Sequence, residues 1–145
     1  MMTIRNLTLN DLDKLISLLH QLWPQKTICK EAVRRIISKG LKNDYQFYIC
    51  AIVENEIVGY CSLTLKNNLW TEGNLGNVDE LVVDDKYRNQ GIGKDLMIHI
   101  EDLARRHKCT RLELDSAFHR TNAHVFYEHN GFEKRAYLFS KSLSE

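Results

Sequence analysis

Residues 78–97 read VDELVVDDKYRNQGIGKDLM, and this stretch decides the fold. An apolar run, 81–83, is followed by a charged turn and then by Gly91 and Gly93, which precede an amphipathic segment. The pattern predicts a buried strand, a turn and then directly the N-terminus of a helix. Free amides in the first turn of a helix carry partial positive charge, and glycines let an anion approach closely. The stretch therefore predicts a phosphate-binding site.

Gly91 and Gly93 could also belong to a simple turn, a P-loop or a dinucleotide fingerprint. A Gly-x-Gly before a helix often forms only a turn. A P-loop requires a glycine where Arg88 stands and a serine or threonine where Asp95 stands. A dinucleotide fingerprint requires a small residue in place of Leu96 and a parallel βαβ unit. Neither phosphate motif fits, so the site must be of another kind.

Outward from this stretch, strands and helices alternate without a compositional seam. The predicted elements are a strand at 2–7, helices at 12–22 and 28–41, an antiparallel hairpin at 45–70 that turns at 54–56, a strand at 77–83, a helix at 91–107, a strand at 111–116, a helix at 122–130 and a strand at 131–143. Gly59 indicates a bulge, and Gly73 and Gly76 indicate a loop. We expect one α/β (α+β) domain over residues 1–145, in which a mixed sheet is flanked by helices.

The composition narrows the class of partner. The 145 residues include 20 Lys and Arg against 19 Asp and Glu, a net charge of +1, which argues against a nucleic-acid surface. No apolar run reaches the roughly 18 residues of a membrane span, and no signal peptide is recognisable. The cysteines and histidines lack metal-site spacing. We therefore expect a cytoplasmic protein that binds small molecules, with no metal, nucleic acid or membrane.

Two motifs carry a resemblance to a known family. The first is Arg88-Asn89-Gln90-Gly91-Ile92-Gly93. The second is Asn122-Ala123-His124-Val125-Phe126-Tyr127 followed by Gly131-Phe132, with a shortened spacing after the asparagine. Together with the element order, they resemble the acyl-CoA-dependent N-acetyltransferase superfamily called GNAT along nearly the whole chain.

The resemblance implies a fold and a co-substrate. The fold is a mostly antiparallel sheet that is splayed at strands 4 and 5, and the co-substrate is acetyl-CoA. The pantetheine arm would bind along the fourth strand, and the pyrophosphate at the helix N-terminus. An alternative role for Asn122 is to cap its helix. The implied cofactor-binding residues are Leu81, Val82, Val83, Arg88, Asn89, Gln90, Gly91, Ile92, Gly93, Lys94 and Asn122.

Acetyl transfer to an amine also needs a base, an oxyanion donor and an acid. An alkylamine with a pKa near ~10.4 is protonated at neutral pH, so a base matters, and Glu80 and Asp79 are the candidates. Both could instead be solvated or salt-bridged residues of a strand edge. A backbone amide near Val82 or Val83 would donate to the oxyanion. Tyr127 is the candidate acid, and its alternative role is a packed core aromatic.

We therefore predict an N-acetyltransferase that moves an acetyl group from acetyl-CoA to a primary amine of a small cationic acceptor, directly in a ternary complex. The resemblance is strongest to small-amine members, including aminoalkylphosphonate and aminoglycoside 6'-N-acetyltransferases, and a homodimer is common in the superfamily. The alternative is a catalytically silent acyl-CoA-binding sensor or structural module of the same fold. Polyamines, aminoglycosides, amino acid derivatives and peptide amines all qualify as the acceptor.

Overall fold

The structure is a computed structural model that describes residues 1–144; Glu145, the last residue of the predicted domain, lies outside them. The chain divides into two compact units, Met1–Glu113 and the segment from Leu114 onward. All of the strands in the described residues belong to the first unit.

The first unit is one five-stranded sheet with helices on both faces. Strands β1 to β4 pair antiparallel in chain order, and β5 pairs parallel to β4, which confirms the predicted mixed, mostly antiparallel sheet. The strands are β1 (Met2–Asn6), β2 (Gln46–Val53), β3 (Glu56–Asn68), β4 (Gly73–Val83) and β5 (Cys109–Glu113), and the helices of this unit are α1 (Leu12–Leu22), α2 (Lys30–Gly40) and α3 (Ile92–Arg106).

The two faces of the sheet bury different side chains because successive strand residues point in opposite directions. One face packs against α1, whose leucines recur at the helical period, and against α2. The other face packs against α3: a Cβ on Gly59 would lie 3.0 Å from Leu96 Cδ1 and 3.2 Å from Ile92 Cγ2. The core of the first face contains Leu7, Leu12, Leu15, Leu18, Leu19, Ile37, Tyr48, Cys50, Ile57, Tyr60 and Val82.

The predicted hairpin and its bulge are both confirmed. Strands β2 and β3 are joined at Glu54 and Asn55, which have φ of 50° and 65° as a tight left-handed turn requires. The pairing shifts register between Ala51 and Ile52, beside Gly59. Bulges of this kind increase local twist and re-aim the strand.

The loop predicted around Gly73 and Gly76 is wrong, because both glycines lie inside β4. Gly76 is required by close packing: a Cβ there would lie 2.8 Å from Leu112 Cδ2 and 3.1 Å from Leu63 Cδ1. The connection between β3 and β4 is the short segment 69–72. The absence of a side chain at Gly76 therefore lets Leu112 of β5 and Leu63 of β3 pack closely against β4.

The second unit contains one helix, α4 (Thr121–His129), in its described residues. The terminal strand predicted over 131–143 is absent, since residues 132–144 form neither helix nor strand. This segment contains no valine, isoleucine or threonine, the β-branched residues that strands favour. The predicted strand at 111–116 also ends earlier, at Glu113.

Candidate functional site

The connection from β4 to α3 forms an open turn at the helix N-terminus. Gly91 is the N-cap, with φ 83° in the left-handed region, and a Cβ on it would meet no atom within 4 Å. The first helical hydrogen bond runs from the Asp95 amide to the Gly91 carbonyl at 3.0 Å, so the amides of 92–94 precede the helical bonding pattern. Residues 88–91 are exposed. The turn has the properties of an anion site.

The Arg88 side chain is held beside the turn by two nearby residues, Val83 and Asp85. Its Nε donates to the Val83 carbonyl at 3.1 Å, and its second guanidinium nitrogen lies 2.8 Å from Asp85 Oδ1. The buried Asp84 accepts from the Lys86 amide at 3.0 Å, and its carboxylate lies 3.4 Å from Lys14 Nζ on α1. These contacts fix the end of β4 and leave a cation at the rim of the turn.

One edge of β4 is open beyond its pairing with β5. The parallel pairs end at Asn77 with Glu113, and no strand of the described chain pairs with that edge over residues 78–83. The Asp84 amide donates to the Val58 carbonyl at 2.8 Å, toward β3. Because backbone groups alternate sides along a strand, Val82 also faces β3, whereas Leu81 and Val83 face the open edge.

A second bulge brings two carboxylates together on β4. Glu80 pairs with Ser62, but the next pair is Val78 with Leu63, so Asp79 is the extra residue. The half-buried Glu80 accepts a hydrogen bond from Ser62 Oγ at 2.6 Å and one from the Tyr60 phenol at 3.4 Å. The strand therefore presents Asp79 and Glu80 side by side at the start of the stretch whose outer edge is open.

The environment of Glu80 favours its protonated form more than water does. Burial raises the pKa of the Glu80 carboxyl above its usual value, and the neighbouring Asp79 charge raises it further. The hydrogen bonds from Ser62 and Tyr60 lower the same pKa because they stabilise the carboxylate. A carboxyl with a raised pKa is a stronger base once it is ionised.

Asp79 has neutral partners. Thr64 Oγ1 donates to its Oδ2, and Asn77 Nδ2 donates to its Oδ1 at 2.6 Å. Within residues 1–144, no ion pair includes either Asp79 or Glu80. The salt-bridged strand edge weighed from the sequence is therefore not what the fold forms. Two carboxylates without cationic partners can attract a positively charged ligand.

Sequence reasoning missed the residues of β3 that hold these carboxylates. Tyr60, Ser62 and Thr64 stand at every second position, so they share one face of β3, and the residues between them, Cys61 and Leu63, are apolar. This polar stripe was a readable signal. Its partners on β4 were not readable, since the bulge at Asp79 changes the register.

The second unit carries the two remaining predicted site residues on α4. The N-cap is Arg120, so Asn122 is an exposed residue of the first turn and the alternative role as a cap is wrong. The ring of the half-buried Tyr127 makes edge contacts with Phe126 and Phe132, with centroids 5.5 Å and 5.8 Å apart. This packing gives the Tyr127 ring a fixed orientation within the unit.

Among residues 1–144, no group of three or more His, Cys, Asp or Glu side chains is arranged to hold a metal ion. In the same range, every helix is too short or too polar to cross a lipid bilayer.

Comparisons with known proteins point to one family. The family model described as Acetyltransferase (GNAT) family matches residues 12–132. The chain is 29% identical over 140 residues to the aminoalkylphosphonate N-acetyltransferase of Salmonella typhimurium, covering 97% of this chain and 90% of that protein.

Solved structures agree on the fold. Glucosamine-6-phosphate N-acetyltransferase from Arabidopsis thaliana is similar with a TM-score of 0.84 at 24% identity, covering 99% of each chain. A transcriptional regulator from Bacillus halodurans C-125 is similar with a TM-score of 0.87 at 22% identity, covering 99% of this chain and 100% of that one. At these identities the likeness bears on the fold alone.

Proposed function

Because the chain belongs to the acetyltransferase (GNAT) family and is an acyl-CoA-dependent N-acetyltransferase, we propose that it moves an acetyl group from acetyl-CoA directly to a primary amine of a small cationic acceptor. The observation that carries the proposal is the sequence of features along β4. Two carboxylates without cationic partners, an open strand edge and an exposed helix N-terminus follow one another over residues 79–94. In this proposal the acceptor, the thioester and the diphosphate would bind in that order along one segment.

The turn before α3 fits the diphosphate of the co-substrate. Free space at Gly91 and the amides of residues 90–94 suit an anion, and Arg88 adds a positive charge. Acetyl-CoA supplies an activated thioester when it binds. Leu81 and Val83 would bind the pantetheine amides at the open edge, in the manner of an added strand. Asn122 would contribute a further contact from α4.

The same edge supports a refined assignment of the oxyanion donor. Only outward amides can bind the acyl oxygen, so the alternation along β4 favours Leu81 and Val83 over Val82. Such a donor is preorganised because the strand fixes its direction. No side chain is needed for this role.

Glu80 would act as the base. The raised pKa of the Glu80 carboxyl lies closer to the pKa of the acceptor ammonium than that of an ordinary glutamate does. The carboxylate would remove a proton from the ammonium directly or through water. Asp79 would attract the cationic acceptor. Tyr127 would donate a proton to the leaving thiolate. The ordinary pKa of a phenol is near ~10 and that of a thiol is near ~8.5, so the difference that opposes this transfer is modest.

The class of acceptor follows from the charges. The Salmonella relative is named for an aminoalkylphosphonate, which is an amine that also carries an anionic group. The unpaired carboxylates of this chain favour an acceptor with net positive charge. A homodimer and a cytoplasmic location belong to the same proposal, and sedimentation and imaging of the tagged chain test them.

An amine panel tests the proposal. Release of free thiol from acetyl-CoA is measured with spermidine, kanamycin, aminoethylphosphonate and a short peptide as acceptors, and Glu80→Gln serves as the control. We expect the wild-type enzyme to release thiol when a polyamine or an aminoglycoside is present. The rate of this release should be lower by ~10-fold or more in Glu80→Gln. Thiol release with aminoethylphosphonate alone would contradict the cationic acceptor, and none with any amine would contradict the proposed transfer.

A further inference from the structure

We infer that Ser62 is a positioning residue for this reaction, because its hydroxyl holds the Glu80 carboxylate in one orientation on β4. The inference rests on the proposed function, in which Glu80 is the base. It adds a residue on a different strand, which takes no part in binding either substrate. Its effect on the reaction would pass entirely through Glu80.

The geometry is a closed pair of hydrogen bonds between two residues. Ser62 Oγ donates to Glu80 Oε1 at 2.6 Å and accepts from the Glu80 amide at 3.2 Å. One hydroxyl thus binds both the main chain and the side chain of Glu80. Two bonds from one fixed atom restrict the side-chain torsions of Glu80 more than a single contact could.

Burial makes this pair difficult to replace with water. Ser62 is 1% exposed, so bulk water does not compete with its hydroxyl for the hydrogen bonds to Glu80. Its position is set by pairing on both sides, with Tyr48 on β2 and with Glu80 on β4. The pair lies beside the register shift at Asp79, where regular pairing alone does not fix the strand.

The other groups that face Glu80 do not supply the same support. The Tyr60 phenol is a more distant donor at 3.4 Å. Asp79 opposes ionisation of Glu80, and the pKa values of Tyr48 and Cys61, which are raised mainly by burial, are raised further by the Glu80 charge. Without the Ser62 bond, burial and the Asp79 charge would favour the protonated carboxyl, which cannot act as a base.

The test compares the pH dependence of kcat/KM for the amine in wild-type enzyme and in Ser62→Ala. The base must be ionised, so the rate rises as pH passes its pKa. Loss of a hydrogen bond to a charged group should move this acid limb upward by about one to two pH units. Ser62→Cys, a weaker donor, should give a smaller upward shift. The KM for acetyl-CoA should stay the same.

Two controls separate positioning from structure. Ser116→Ala removes a buried hydroxyl for which residues 1–144 supply no hydrogen-bond partner, so it should leave the pH profile unchanged. In a Glu80→Gln background, Ser62→Ala should have little further effect on kcat/KM, because residues that act as one unit are not additive. Additive losses in the double variant would overturn the inference.

A readout without turnover distinguishes failure of this inference from failure of the proposed function. Glutamate carboxyl carbons are labelled with carbon-13, and the Glu80 resonance, assigned with Glu80→Gln, is titrated by NMR. A Glu80 pKa that rises in Ser62→Ala supports the contact, and an unchanged value overturns it. If the Glu80 pKa rises in Ser62→Ala but the acid limb of kcat/KM does not move, the assignment of Glu80 as the base is wrong. The positioning role of Ser62 is then wrong as well.

Discussion

The Tyr60 phenol donates a 3.4 Å hydrogen bond to Glu80 Oε1, and Tyr60 itself is only 2% exposed. Glu80 therefore keeps its carboxylate beside the apolar core that α1 and α2 cover. Burial raises the pKa of this carboxyl, so the folded chain binds the Glu80 proton more tightly than the unfolded chain does. The resulting loss of stability begins as pH rises through the unfolded value near ~4.3 and is complete above the raised folded pKa.

Glu80→Gln should consequently separate stability from activity. The amide keeps an acceptor for Ser62 and removes the buried charge, so we expect the Tm at pH 7.5 to rise by roughly 2–4 °C. At pH 4 the gain should shrink, because the folded state and most of the unfolded state then hold the proton. Thermal unfolding at the two pH values measures this difference. A Tm that falls at pH 7.5 would contradict the placement of an ionised carboxylate there.

Acid stability should depend on a contact far from β4. Arg5 donates to both carboxylate oxygens of Asp11, at 2.8 Å and 2.9 Å, and the Thr8 amide donates to the same carboxylate at 2.8 Å. These bonds, led by that from Arg5, lower the pKa of Asp11 to about 2. The stability that Asp11 contributes is complete above the unfolded value near ~3.9 and is lost as pH falls through about 2.

Asp11→Asn should therefore destabilise the chain at neutral pH and flatten the dependence of stability on pH below about 4. Denaturant unfolding at a series of pH values measures both effects. Asp44→Asn, which changes an exposed aspartate before β2, provides a control of equal charge. An Asp11→Asn variant as stable as wild type at pH 7 would contradict the contribution of the Arg5 contact.

Tyr127→Phe should lower turnover by ~10 to 1000-fold with little change in CoA affinity, as loss of a general acid predicts. Phenylalanine keeps the edge contacts with Phe126 and Phe132, so the helix should remain folded. Steady-state rates and calorimetry against CoA measure the two quantities. Tyr137→Phe removes a hydroxyl from an exposed tyrosine of the same unit and should have no effect. Unchanged turnover in Tyr127→Phe would remove the acid role.

The β4–α3 segment could be read from sequence because its signals are local. An apolar run, a charged turn and Gly91 determine backbone directions without reference to distant residues. The apolar runs on either side likewise predict the hairpin turn at 54–56, in which Glu54 and Asn55 have positive φ. Local chemistry of this kind fixes which element a residue occupies.

Features that depend on pairing could not be read in this way. The loop predicted at Gly76 is wrong because the packing of this residue against Leu112 joins segments that are distant in the chain. The support of Glu80 by Ser62 depends on a bulge that changes the register by one residue. The predicted terminal strand is wrong for the same reason, since the local sequence of 131–143 does not determine whether a partner edge is present.

The central claim is that free amides at the start of α3 bind the diphosphate of the co-substrate. Gly91→Asp places bulk and negative charge in that space, and Gly131→Asp is its matched control, because Gly131 has φ 88° and equally open surroundings. Both variants carry the same backbone strain and the same charge.

Calorimetric titration with CoA tests this claim most directly, with the fold of each variant checked by circular dichroism. We predict that Gly91→Asp weakens CoA binding by roughly 100-fold or more, which corresponds to about 2.7 kcal/mol, while Gly131→Asp binds like wild type. Equal CoA affinity in Gly91→Asp and wild type would contradict the account.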